Sequence, residues 1–331
     1  SRTLRLSLYS LLIIAGTVVA ATLAMRHAER QAQEEDAARA NQQLALYANS
    51  LHTLIDRYRA LPAVLALDPQ LRSALAGPVD AAQQAALNLK LEKINGAAQS
   101  STLELLDRTG RAVAASNWRL PSSYVGHNYG FRPYFSQTRT QGTGRFYAVG
   151  VTSGIPGYFL SSAVLGDDGE FLGAMVVKLE FPELEREWSQ GSDTLLVSDA
   201  RGIIFIANQP GWRYRALRPL SADDLAEIKS TRQYDKQSLV PLTHLPLRRF
   251  DDNSDLRRVE GPDGTADYLW ESLPLTTEGW TLHLLRRPQV AFEDLRNAAL
   301  AAAGVWLALV FLLLFLNQRW RLAKVRQRNR E

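Results

Sequence analysis

Thr102–Ser116 reads TLELLDRTGRAVAAS, and Thr194–Asn208 reads TLLVSDARGIIFIAN. Each is an apolar run, a short turn and a second apolar run, the signature of a β-hairpin. The turns match as well, Asp107-Arg-Thr-Gly110 in one and Asp199-Ala-Arg-Gly202 in the other. A hairpin that recurs in this form marks a tandem duplication. The later parts of the repeats also correspond. Tyr158–Val164, the Asp167-Asp168-Gly169 turn and Ala174–Leu179 predict strand, turn, strand, as do Tyr268–Leu273 and Trp280–Leu285 around Thr276–Gly279. Each repeat is expected to be a small antiparallel sheet with helical excursions, an α+β arrangement.

Helical patterns surround the repeats. Ala28–Tyr58 has no Gly or Pro, and Leu44, Tyr47, Leu51, Leu54 and Tyr58 step by three and four along one helical face. The stripe has two readings, packing on its own domain or forming a dimer seam. Pro62, Pro69 and Pro78 punctuate a helical turn region before a second helix over Ala81–Ala97. Phe181–Ser189 reads as a short connecting helix, and Ser221-Ala-Asp-Asp224 as a capping box opening a helix to about Lys229. Gln237–Asp255 reads as a polar, Pro-interrupted loop.

Two apolar stretches bracket this region. Leu6–Met25 and Ala298–Leu316 contain no charged residue, and roughly 20 apolar residues cross a bilayer as a helix. A cleaved signal peptide is the competing reading for the first, but Met25-Arg26-His27 runs straight into the helical pattern. After the second come Arg319, Arg321, Lys324, Arg326, Arg328 and Arg330, which by the positive-inside tendency mark the cytoplasmic side. Residues 27–297 are then expected outside, in the periplasm of a Gram-negative inner membrane. Pro288 is expected to start a helix that runs into the second span. The formal net charge is only +4, with much of the basic excess at this end, which argues against a nucleic-acid surface. The chain has no Cys, so disulfides, thiolate metal sites and Cys nucleophiles are excluded.

No catalytic set emerges. His27, His52, His127, His244 and His283 show no paired metal spacing. Gly150-Val-Thr-Ser-Gly154 misplaces the serine of a nucleophile elbow, and Gly142-Thr-Gly144 lacks the third glycine of a dinucleotide loop. Aromatic residues, glycines and hydroxyls concentrate instead in Ser122–Ser162, around Arg132 with Pro133 beside it. A guanidinium grips a carboxylate bidentately. Tyr129, Tyr134, Thr152, Ser161 and Ser162 are candidate hydroxyl donors, while an ordinary surface arginine over core tyrosines is the plain alternative. Lys178, in the otherwise mostly apolar Gly173–Phe181 strand region, either snorkels at a sheet edge or points into a polar cavity. Two cations converging on one cavity suit a dianion. An amino-acid ligand would need an acid facing its ammonium, and Asp107 and Asp167 read as turn residues.

The run Asn128-Tyr-Gly-Phe-Arg-Pro-Tyr-Phe135, then Phe146-Tyr-Ala-Val-Gly150, Pro156-Gly-Tyr-Phe159, Val177-Lys178 and Trp212-Arg-Tyr-Arg215, resembles the C4-dicarboxylate sensor histidine kinases of the DctB type. The resemblance implies a tandem PAS-like (double Cache) sensor whose membrane-distal module binds succinate, fumarate or malate. It places Arg132 and Lys178 on the carboxylates, with Tyr129, Thr152 and a Ser161 or Ser162 hydroxyl completing the shell. Related sensors with similar motifs take C5 compounds such as 2-oxoglutarate, so the motif supports "dicarboxylate" better than "C4". It also implies a homodimer, a cognate response regulator, and ATP and Mg in a kinase domain; no cofactor is expected in residues 1–331 themselves. No phosphoacceptor His box or ATP-binding motif is read up to Glu331, and a chemoreceptor or diguanylate cyclase output fits the basic tail equally. The expected layout is a first span within 1–26, a helical stalk over 27–100, a ligand-binding module over 101–190 and a membrane-proximal module over 191–290. A second span over 291–317 and a coiled-coil start over 318–331 follow.

Overall fold

The computed structural model of the chain describes residues 2–288 and 292–328. Helix α1 (Arg2–Arg59) runs unbroken for 58 residues, about 85 Å at 1.5 Å per residue. Among the described residues its apolar beginning packs on α8 and is otherwise largely exposed. Its second half buries Leu44, Leu51, Ile55 and Tyr58 against the chain's own sheets. Of the two readings of that stripe, packing on its own domain is the one this structure displays.

Three short helices follow: α2 (Leu61–Ala66), α3 (Pro69–Leu75) and α4 (Ala81–Ala98). Each starts where the sequence supplies a start signal. Pro62 and Pro69 sit in first turns, Asp68 caps α3 through Gln70 N and Leu71 N, and Asp80 with Gln83 forms a capping box on α4. Leu65, Leu71, Leu75, Leu87 and Leu91 are buried against the first sheet. Residues 61–98 are therefore no stalk. A stalk has no sheet to cover, whereas these helices carry one apolar face each and bury it.

The first sheet contains β1 (Thr102–Asp107), β2 (Ala112–Ala115), β3 (Thr143–Val149), β4 (Pro156–Leu165) and β5 (Phe171–Leu179), in the order β2-β1-β5-β4-β3. Helix α5 (Pro133–Gln141) lies between β2 and β3 in sequence, and α6 (Pro182–Trp188) links to the second module. That module holds β6 (Thr194–Ser198), β7 (Ile204–Ala207), β8 (Arg215–Ala216), α7 (Ala222–Thr231), β9 (Val240–Pro241), β10 (His244–Arg249), β11 (Ser254–Gly261), β12 (Gly264–Leu275) and β13 (Trp280–Arg286). Its large sheet runs β10-β11-β12-β13-β6-β7. Read from the other edge, and leaving out β10, this is the order of the first sheet. The duplication is exact in its turns. Thr109 N and Arg111 N donate to Asp107 Oδ1, while Arg201 N and Ile203 N donate to Asp199 Oδ1. Gly110 and Gly202 take φ of +85° and +80°, where a Cβ is strained.

The polar segment Gln237–Asp255 is not a loop throughout, because it contains β9 and β10. Strand β10 is an edge paired only with β11, and most of its side chains are exposed. An edge strand needs no apolar alternation, and its Arg and Pro residues discourage further pairing. Helix α8 (Phe292–Arg328) closes the chain; the expected junction after Pro288 lies outside the described residues, as does the tail beyond Arg328. Within α1 and α8 the most apolar windows have mean hydropathy 2.1 and 2.7. The two helices touch: Trp306 Nε1 donates to the Ile13 carbonyl at 3.3 Å, and its ring lies over Gly16, where a Cβ would clash.

Candidate ligand-binding site

Side chains on neighbouring strands share a face when their residues are paired directly. Pairing links Phe159 to Lys178, Ser161 to Val176, and Val176 to Glu104. These residues, with Thr102, form one face of the first sheet. The opposite face carries Tyr158, Leu160 and Val164 into the large core against the helices. Alternation along β4 therefore separates the two serines. Ser162 falls on the core side, paired with Met175, and is corrected here as a site candidate. Ser161 is on the site's face, yet its hydroxyl is tied to Thr138 Oγ1 at 2.6 Å and to the carbonyls of Tyr134 and Gly144 at 3.1 Å. It fastens α5 to the sheet rather than lining the space beyond, and it too is corrected. The fastening needs Gly144, because a Cβ there would run into the Tyr134 carbonyl.

Above that face the segment before α5 and the β3–β4 loop enclose a small cavity. Arg132, Tyr129, Tyr134 and Thr152 all line it, together with Glu104, Tyr124, Gly150, Val151 and Phe159. Tyr134 stacks on Phe159 with centroids 5.0 Å apart, and Tyr129 Oη meets Thr152 Oγ1 at 2.7 Å. Four of the sequence candidates are thus brought to one place. Lys178 stands at its edge, close beside Gly150 and 5.9 Å from the Phe159 ring.

Both cations are 1% exposed. Burial pulls each below its ordinary pKa. Neither is a snorkelling surface residue. Arg132 Nη1 donates to the carbonyls of Thr231 and Arg232 at 2.9 and 3.0 Å, and Nη2 to Val149 O at 2.7 Å. Lys178 Nζ donates to Glu180 at 2.6 Å, and Glu180 opposes the effect of burial. A guanidinium has five N–H donors, so donors remain for a ligand.

Two acids here escaped the sequence reading. Glu180 is the partner of Lys178. Glu104 is fully buried in the cavity wall, where desolvation pushes its carboxyl up to about 8 against the pull of Lys178 and Arg132. A signal for Glu104 existed: it interrupts an apolar strand whose repeat has Leu196 at the same place.

The second module lacks this chemistry. By register and by the matched turns, Glu104 corresponds to Leu196 and Lys178 to Leu285, the strand partner of Thr194. The residue capping α7 in the place of Arg132 is Ser221. Leu196 and Leu285 pack with Trp212 and Trp270 into a core cluster. The larger groove between α1 and α6 is lined by Glu180, Glu183 and Glu187 with Arg57 alone among its lining cations, which suits an anion poorly. Among the described residues no group of three or more His, Cys, Asp or Glu is placed to hold a metal ion.

Two PAS-like modules of the double Cache arrangement, following a long helix and flanked by apolar helices, with a small cavity lined by Arg132 in the first, define a small-molecule sensor. No family model matches the chain. It is 37% identical over 275 residues to the C4-dicarboxylate transport sensor protein DctB of Rhizobium meliloti, which covers 82% of the chain and 44% of that protein. It is 31% identical over 290 residues to the protein of the same name from Pseudomonas aeruginosa, covering 88% and 44%. The chain thus spans less than half the length of these relatives. The sensor domain of the Vibrio cholerae histidine kinase DctB superposes with a TM-score of 0.70 at 28% identity, over 77% of this chain and 98% of that one. The periplasmic domain of RsbU from Chlamydia trachomatis shares the fold, with a TM-score of 0.57 at 16% identity over 77% and 93%. The chain belongs to the DctB-type sensor proteins.

Proposed function

We propose that the first module binds a small C4 dicarboxylate such as succinate, fumarate or malate, and that the full-length protein is an inner-membrane histidine kinase reporting it. The observation that carries this reading is the placement of two buried cations, Arg132 in the wall and Lys178 at the edge of one phenol-lined cavity. Lys178 already faces Glu180, and Arg132 keeps guanidinium donors beyond its three carbonyl acceptors, so a dianion offers each cation a carboxylate. Tyr129, Tyr134 and Thr152 supply hydroxyls to the same space. The names and extents of the relatives support the ligand class and the kinase output.

In this reading α1 and α8 each cross the inner membrane, the two modules lie in the periplasm, and the protein works as a homodimer. Its cytoplasmic part would use ATP and Mg and address a response regulator. The test is titration calorimetry on the 331-residue chain in detergent micelles. Succinate, fumarate and malate should bind, 2-oxoglutarate should bind more weakly, and a four-carbon monocarboxylate should fail. If no dicarboxylate gives heat at millimolar concentration, the reading is wrong.

A further inference from the structure

Glu104 is 1% exposed in the middle of β1, on the cavity face of the sheet. Its surroundings can be named from each side. On β1 the same face carries Thr102 and Leu106; across the sheet stand Ala115 of β2 and Val176 and Lys178 of β5. Over it lie Tyr134 of α5 and, from the preceding segment, Tyr124, Tyr129 and Arg132. The charged groups among these are Lys178, already paired with Glu180, and Arg132, already donating to three carbonyls. The titratable ones are the three phenols, each raised by burial above its ordinary pKa. Tyr134 Oη donates to Glu104 Oε1 at 3.5 Å, while Oε2 is buried with no hydrogen-bond partner.

A carboxylate anion in that wall would repel the dianion that the cavity is proposed to hold. A neutral acid there would instead present one O–H donor, at an oxygen with no partner inside the protein. The second module carries Leu196 in this position, packed in a core cluster, so the fold itself does not require an acid. We propose that Glu104 is a ligand-binding residue acting as a protonated acid, with its Oε2–H donating to one carboxylate oxygen of the bound dianion. This rests on the dicarboxylate reading and deepens it. Binding is then linked to a proton. Burial already holds the Glu104 carboxyl near 8 in the empty cavity, and a bound dianion raises it further. Above that pH the protein must take a proton from the buffer to bind. By linkage, affinity should be level below pH 7 and about tenfold weaker at pH 9 than at pH 7.

The experiment is calorimetry of succinate binding to the 331-residue chain from pH 6.5 to 9.5, in two buffers of different ionisation enthalpy. The parent should show the tenfold loss and take up most of one proton at pH 8.5. Glu104→Gln keeps a neutral donor in place. It should bind within a few-fold of the parent at pH 7, with the loss at high pH and the proton uptake both reduced. Because burial also lowers the Lys178 pKa, a slope and uptake shared equally by parent and variant overturns the role of Glu104. Succinate binding by the parent that is flat in pH and proton-neutral overturns it too, without reference to the variant. Succinate affinity that rises through pH 8 means that the deprotonated protein binds better, and also overturns it. Absence of succinate binding at every pH removes the dicarboxylate reading itself.

Discussion

The guanidinium of Arg132 donates to the carbonyl of Thr231, 99 residues further along the chain, at 2.9 Å. Thr231 ends α7, and the neighbouring Arg232 carbonyl accepts from the same nitrogen. A buried cation at a helix C-terminus is favourably placed against its carbonyls. The residue that faces the cavity of the first module therefore also holds a helix of the second. Backbone bonds reinforce the joint: Val149 N donates to Gln233 O, and Gln233 Nε2 to Tyr147 O. A ligand that draws on Arg132 acts on the same side chain that joins the modules.

Arg132→Ala should weaken succinate binding at least about thirtyfold, because removing one partner of a buried charge pair costs roughly 2–5 kcal/mol. Arg132→Lys should also fail, since an ammonium cannot reproduce the planar fork that reaches carbonyls and carboxylate together. Both variants should lower the melting temperature as well, reflecting three carbonyl acceptors left without their donor. Calorimetry and a thermal melt check this together. Wild-type affinity in the alanine variant would make Arg132 purely a joint between modules.

Lys178→Met keeps the aliphatic stem and deletes the ammonium. Succinate affinity should drop by a similar factor, while any weak monocarboxylate binding should change little, because only the second carboxylate loses its partner. Equal losses for both ligands would show that Lys178 does not discriminate between them. The measurement is competitive titration with each acid.

Two buried groups set opposite pH limits on stability. Burial holds His283 neutral, with a pKa near 3, between Ser198 Oγ at 2.9 Å and Ser272 Oγ at 2.9 Å. Its folded value lies below the unfolded 6.5, so its contribution is complete above pH 6.5 and is lost as pH falls toward 3. Glu104 is the reverse, its folded value of about 8 lying above the ordinary 4.5, so stability declines as pH rises from 4.5 to 8. At 1.36 kcal/mol per unit, each window is worth about 5 kcal/mol. Chemical denaturation across pH should show His283→Asn flattening the acid limb and Glu104→Gln the alkaline one. Unchanged limbs in these variants would mean that other groups set them.

Reporter fusions check the membrane arrangement. A fusion after Glu331 should be active in the cytoplasm, and one at Gly264, in the β11–β12 turn, in the periplasm. Cytoplasmic activity at Gly264 would reverse the orientation.

Much of the architecture was legible because it rests on local signals. The paired Asp-x-x-Gly turns announced the duplication, since each needs an aspartate to accept the turn amides and a glycine at positive φ. The prolines marked the helical turn region before α4, and the apolar stretches stood out by composition alone. Strand β10 was hidden because an exposed edge strand carries no apolar period. The packing of α2, α3 and α4 was missed because a helix's apolar face does not name the surface that covers it.

The sequence by itself determined the hairpin repeats and the apolar stretches, and it singled out Arg132, Tyr129, Tyr134, Thr152 and Lys178 as candidates, through a run dense in aromatics, glycines and hydroxyls and a lysine in a mostly apolar strand. Only the tertiary structure decided which of them meet. Side-chain direction alternates along a strand, so β4 sends Ser161 under α5 and Ser162 into the core, although the two are adjacent. Sheet pairing brings Glu104 of β1 onto the face of Lys178, and module packing gives Arg132 the carbonyls of α7. Those relationships join residues distant in the chain through burial and register, and no local pattern records them.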